Sequence, residues 1–89
     1  MPLFAVICRD NPGALQTRLD TRPAHVEWLK AGPVRLAGPL VEDGAMRGSL
    51  LVIEADDIKA ANAWVATDPY TAAGLFASVE VIEWRKVIG

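Results

Sequence analysis

Residues 3–8, Leu3-Phe4-Ala5-Val6-Ile7-Cys8, form an unbroken apolar run that Arg9-Asp10-Asn11-Pro12-Gly13 closes. A run of this length ending in turn residues predicts a strand buried on both faces, followed by a turn. Leu50-Leu51-Val52-Ile53 repeats the signal inside a second expected strand, from about Gly48 to Ala55. A solvated sheet face would show alternating apolar and polar positions, and these two segments do not alternate. Both sides of the sheet they build must therefore be covered.

Working outward from strand one, Ala14 to Asp20 predicts at most a short helical turn. Thr21 is expected to cap a better helix from about Arg22 to Ala31, with Pro23 tolerated in its first turn and Gly32-Pro33 ending it. Val34 to Leu40 reads as the second strand, and Asp43-Gly44 lies in the connection to the third, so the two form a hairpin. Asp56 is expected to cap a helix from Asp57 to Thr67, in which Ile58, Ala61, Trp64 and Val65 make an apolar stripe. Asp68-Pro69 stops it, because a residue before proline is pushed out of the α region. Asp68 can then cap a short helix from Pro69 to Ala73, closed by Gly74. Val79, Val81, Ile82 and Trp84 mark a final strand running to about Val87. The order β-α-β-β-α-β is the split βαβ, ferredoxin-like arrangement: an α+β fold with a four-stranded antiparallel sheet and both main helices on one face. The other face is left bare. A second copy of the chain is the expected cover, since most soluble oligomers are symmetric homodimers.

Bulk properties agree with this reading. The 89 residues suffice for one domain, so residues 1–89 are expected to fold as a single unit without repeat or linker. Yet 52% of them are apolar and the mean hydropathy is +0.22, more apolar material than one small core readily hides. A formal charge of -2 without a Lys/Arg cluster gives no electrostatic footprint for nucleic acid, and no nucleic-acid partner is expected. No apolar run approaches the length of a membrane span, so no membrane partner is expected either. The apolar start has no basic residues before it and no small-residue cleavage site after it, which argues against a signal peptide. Cys8, the only cysteine, cannot form an internal disulfide, and the expected location is cytoplasmic. With His25 the only histidine, no metal site is expected, and without a glycine-rich phosphate loop no nucleotide cofactor is expected.

The informative anomaly sits in the first main helix. At about 100° per residue, Arg22, His25, Val26 and Leu29 share one side, which puts two polar side chains on the apolar stripe. A histidine in that setting is commonly a core residue with a satisfied hydrogen bond. A buried arginine, however, is rare without an anion, so the pair meets a carboxylate in the fold or waits for one on a ligand. Asp68 is the natural carboxylate; it also reads as an ordinary helix cap, and the two roles are compatible. Tyr70 could bring its phenol to the same corner, or pack with its hydroxyl at the rim. Gly38-Pro39 can let a ligand approach the backbone, although a turn needs the same residues. The three tryptophans read as packing residues, and Cys8 as an inert core thiol.

Strand one, then Arg22-Pro23-Ala24-His25, Ala37-Gly38-Pro39-Leu40, Asp68-Pro69-Tyr70 with Ala73-Gly74, and a last strand ending in Glu83-Trp84 together resemble the YciI-like (YCII-related) proteins over nearly the whole chain. The resemblance implies the dimeric α+β barrel fold and an active site built from the histidine and aspartate that here match His25 and Asp68. It also implies kinship with a dehydrochlorinase that uses such a pair on a chlorinated hydroxyhydroquinone. The expected function is a cofactor-independent acid/base enzyme, a lyase or isomerase acting on a small oxygenated, aromatic-type molecule. His25 would shuttle the proton, kept neutral by its place in the first turn of its helix. Asp68 would orient it, and Arg22 would hold a carboxylate or developing oxyanion, with Tyr70, Gly38 and Pro39 lining the site. The rival is a non-catalytic small-molecule binding or assembly module in which Arg22, His25 and Asp68 are a structural polar network.

Overall fold

The computed structural model describes all of Met1–Gly89. Strand β1 (Leu3–Asp10) leads into helix α1 (Leu15–Ala31), the hairpin of β2 (Val34–Glu42) and β3 (Ala45–Glu54), helix α2 (Ile58–Val65), a short helix α3 (Pro69–Ala72) and strand β4 (Phe76–Trp84). The four strands form one antiparallel sheet in the order β2-β3-β1-β4, with the helices on one face. The two apolar runs are the central pair, with Val6 opposite Leu51 and Phe4 opposite Ile53. The expected ferredoxin-like fold is the observed one.

Strand alternation assigns the two faces. Phe4, Val6, Cys8, Leu51 and Ile53 point toward the helices and meet Ala61 and Val65 of α2, forming a buried cluster. Ala5, Ile7, Leu50 and Val52 point the other way, joined in register by Leu36, Ile82 and Trp84. This second face is apolar at its centre, with Leu36 65%, Leu50 43% and Ile82 52% exposed, and charged toward its borders at Arg9, Glu54 and Glu80.

Several element boundaries differ from expectation. The largest difference is α1, one continuous helix from Leu15 in place of a short turn and a second helix capped at Thr21. Pro23 lies inside it and removes one backbone donor, yet Pro23 and Leu19 both face solvent, where water can satisfy the Leu19 carbonyl. The helix persists because its inward side is tied down on both sides of the proline, at Arg18 and at His25. Asp57, not Asp56, caps α2, its side chain accepting from the Ala60 amide at 2.8 Å. The last strand begins earlier, at Phe76, and stops at Trp84, because β1, its only partner in the sheet, begins opposite Trp84 at Leu3. Val87 and Ile88 follow as an exposed tail. The Asp43-Gly44 turn holds both residues at positive φ, 51° and 77°, as a two-residue hairpin of the favoured twist requires. Where α1 gives way to β2, a Cβ on Gly32 would stand 2.2 Å from the Trp64 ring, so that close approach demands glycine.

Candidate functional site

Helix α1 carries two polar side chains into the interior, Arg18 and His25, two turns apart on one side. Each meets a carboxylate delivered by a different element. Alternation along β1 puts Asp10 on the helix-facing side, where Arg18 engages it with two parallel bonds, Nε to Oδ2 at 2.7 Å and Nη2 to Oδ1 at 2.8 Å. Arg18 Nη2 also donates to Ser49 Oγ of β3 at 2.9 Å, and its guanidinium carbon lies 4.6 Å from the centre of the Tyr70 ring. Burial would lower the Arg18 pKa; the bonds and charge of Asp10 outweigh that and hold it above its ordinary value.

The second pair is His25 with Asp68. His25 Nδ1 stands 2.8 Å from Asp68 Oδ1, with His25 6% and Asp68 2% exposed. The same oxygen accepts the Tyr70 amide at 2.9 Å, so the cap of α3 and the partner of the imidazole are one group, as the sequence expectation allowed. A carboxylate only accepts, so Nδ1 carries the proton and Nε2 keeps its lone pair in the neutral ring. The imidazole stacks on Tyr70 with centroids 3.9 Å apart and planes 20° from parallel. Burial raises the Tyr70 pKa, opposed by the charges of Arg18 and Arg22.

These groups wall a cavity of about 160 Å³, lined by Arg18, Arg22, His25, Ser49 and Tyr70, with Gly38 and Pro39 of β2 opposite α1. A void of this order admits a single small ring. All the residues expected to build a site, His25, Asp68, Tyr70, Arg22, Gly38 and Pro39, are thus brought to the same corner. A wider cleft of about 400 Å³ lies between the β1–α1 turn and the hairpin. Its Arg9 is engaged by Glu42 at 3.1 Å and its Asp10 by Arg18, and no histidine lines it. No three histidine, cysteine, aspartate or glutamate side chains gather anywhere as a metal would need.

Three expectations require correction. The buried arginine of α1 is Arg18, not Arg22; Arg22 is exposed at the cavity edge and forms no ion pair, and Asp68 pairs with the histidine and with no arginine. His25 lies well inside the continuous helix, so the first-turn position expected for it, and the helix-terminus effect argued from it, do not apply. Strand β2 runs on to Glu42, past the expected end at Leu40, so Gly38-Pro39 sits inside a strand and not in a turn. Sequence reasoning missed Arg18, Asp10 and Ser49, because starting the helix at Arg22 put Arg18 outside it. The spacing Arg18-His25 along one helix face, once Pro23 is allowed inside, was the available signal.

The residues that meet here come from β1, α1, β2, β3 and the start of α3, spread over the chain, and a model of the YCII-related domain matches all of that span, residues 2–85. The chain belongs to the YCII-related family. Among its relatives in this family, Protein YciI of Escherichia coli O6:H1 is 34% identical over 96 residues, an alignment covering 96% of this chain and 98% of that one. An uncharacterized protein of Haemophilus influenzae is 30% identical, covering 94% and 97%. Among solved structures, the 5-chloro-2-hydroxyhydroquinone dehydrochlorinase TftG of Burkholderia phenoliruptrix, in complex with 2,5-dihydroxybenzoquinone, superimposes with a TM-score of 0.82 at 37% identity over 93% of each chain. An antibiotic biosynthesis monooxygenase superimposes with a TM-score of 0.60 at 17% identity over 99% of this chain and all of that one, a likeness of fold alone.

Proposed function

We propose that this YCII-related protein is a cofactor-independent acid/base enzyme of the lyase or isomerase type, acting on a small oxygenated ring. The observation that carries this reading is the 2.8 Å bond between His25 Nδ1 and Asp68 Oδ1 at the wall of a ring-sized cavity. With Nδ1 committed to Asp68, Nε2 is the atom free to take a proton from carbon or oxygen. Asp68 holds the ring in that tautomer and stabilises the charge it gains. Arg22, unpaired at the cavity edge, supplies a cation for an anionic group on the substrate. The similarity to a protein that removes hydrogen chloride from a hydroxyhydroquinone supports the same class of chemistry, since such an elimination needs a base and a route for the proton.

The test uses 5-chloro-2-hydroxyhydroquinone and reads chloride release. Turnover by the wild type should fall by about 10²-fold or more in His25→Ala and in Asp68→Asn, the scale of a lost general base. An active His25→Ala protein would end the acid/base reading. The competing reading, a non-catalytic binding or assembly module, draws on the fact that every buried polar side-chain atom already has a partner within the fold. It predicts binding without turnover, and a melting point lowered by the His25 substitution through an unsatisfied buried group.

The same proposal includes a homodimer. The apolar side of the sheet, with Leu36, Leu50, Ile82 and Trp84 uncovered, fits a second copy meeting it face to face.

A further inference from the structure

Ser49 lies on the helix-facing side of β3, opposite Cys8 of β1 and Pro39 of β2, and is 2% exposed. It lines the same cavity as His25. The only hydrogen bond of its side chain is the one from Arg18 Nη2 at 2.9 Å. A guanidinium has donors and no acceptor, so this bond has one polarity: Ser49 accepts, and its own proton is spent on nothing in the chain. Arg18 cannot swing away to change that, because Asp10 grips it through two nitrogens at 2.7 and 2.8 Å. The ion pair also leaves little net charge behind the serine. What remains at the cavity wall is a hydroxyl whose oxygen is held by a cation. A donor polarised in this way is strengthened, because hydrogen bonds in a chain reinforce one another. It is at the same time a poor nucleophile: its lone pair is engaged, and no base stands ready to take its proton.

We infer that Ser49 is a substrate-binding residue of this site, its hydroxyl donating to an anionic enolate or phenolate oxygen of a small ring and so setting the ring carbons before His25. Arg18 is a positioning residue that acts through Ser49, fixing the direction of the donated proton. The inference rests on the acid/base reading of the His25 cavity and deepens it by naming the oxygen anion as the recognised feature. It also divides the labour of the two arginines: Arg18 organises a neutral donor inside, and Arg22 supplies free positive charge at the edge.

Calorimetric titration with 2,5-dihydroxybenzoquinone tests it, with thermal melts of the unliganded proteins alongside. The wild type should bind saturably, and Ser49→Ala should weaken the affinity by about ten-fold or more, the scale of one hydrogen bond to a charged group. Should Ser49→Ala fail to fold, Ser49→Cys decides, since it preserves the shape and replaces the hydroxyl by a weak donor. A folded variant that binds like the wild type overturns the role of Ser49 and leaves the acid/base reading standing. A wild type that does not bind the quinone removes that reading, and this inference with it.

Discussion

Asp68 serves two partners with one oxygen, capping α3 through the Tyr70 amide and holding the His25 ring. Substitutions there should separate charge from geometry. Asp68→Asn can keep its Oδ1 toward both the amide and Nδ1–H, holding the cap and the ring orientation while removing the negative charge that stabilises the imidazolium. Asp68→Ala removes the cap as well and leaves Nδ1–H unsatisfied, at a cost of about 1–3 kcal/mol. Chemical denaturation should therefore place Asp68→Ala well below the wild type and Asp68→Asn near it. Cys8, on the same face, is a second residue whose surroundings decide its behaviour. Burial, with the Asp68 charge adding and Arg18 opposing, pushes its pKa from 9.0 up to about 12. The folded state then holds its thiol proton where the unfolded state has lost it, so stability falls as pH rises from about 9 toward 12 and is unaffected by this group below that window. Aromatic disulfide reagents at pH 8 should leave Cys8 untouched in the native protein and modify it rapidly in urea; fast native labelling would contradict its burial.

Helix α1 shows at the scale of an element how tertiary bonds override local preference. Read as sequence, Pro23 belongs in a first turn, because in a helix interior it costs about 3 kcal/mol. The structure bears that cost because Arg18 lies before the proline and His25 after it, each fixed to a carboxylate from elsewhere in the fold. Pro23→Ala consequently distinguishes the two descriptions. In a continuous helix it restores the bond to the Leu19 carbonyl and should raise the melting temperature, with quinone binding unchanged because Pro23 is exposed. In a helix beginning at Arg22 it would be neutral or destabilising. The same element explains why part of the site could not be read in advance. The His25-Asp68 corner follows from residue types and from Asp68-Pro69 as a helix start, whereas Arg18, Asp10 and Ser49 converge only if α1 extends four residues upstream of Arg22.

For the whole molecule, the uncovered apolar face of the sheet is the dominant feature. Leu50 lies on this face, 43% exposed, opposite Ile7 and Gly38 in register and one pair along β3 from Val52, which Leu36 and Ala5 flank. Light scattering on the eluting protein at micromolar concentration should give twice 9.6 kDa. Leu50→Lys should return it to the monomer mass, since a charge at the centre of such an interface is desolvated without a partner. A wild type eluting at 9.6 kDa would remove the dimer proposal.

The amino-acid sequence by itself determined the element order and the sheet, because apolar periodicity, turn residues and the Asp-Pro stop are local signals that need no knowledge of distant contacts. It also determined which side chains were chemically out of place, above all a histidine on an apolar helix face. Which arginine is buried, how far α1 extends and which atoms face the cavity were decided only by tertiary structure. A buried charge settles wherever a carboxylate and a hydroxyl can reach it, and residues from β1, α1 and β3 are placed side by side by the packing of the helix on the sheet, not by their separation along the chain.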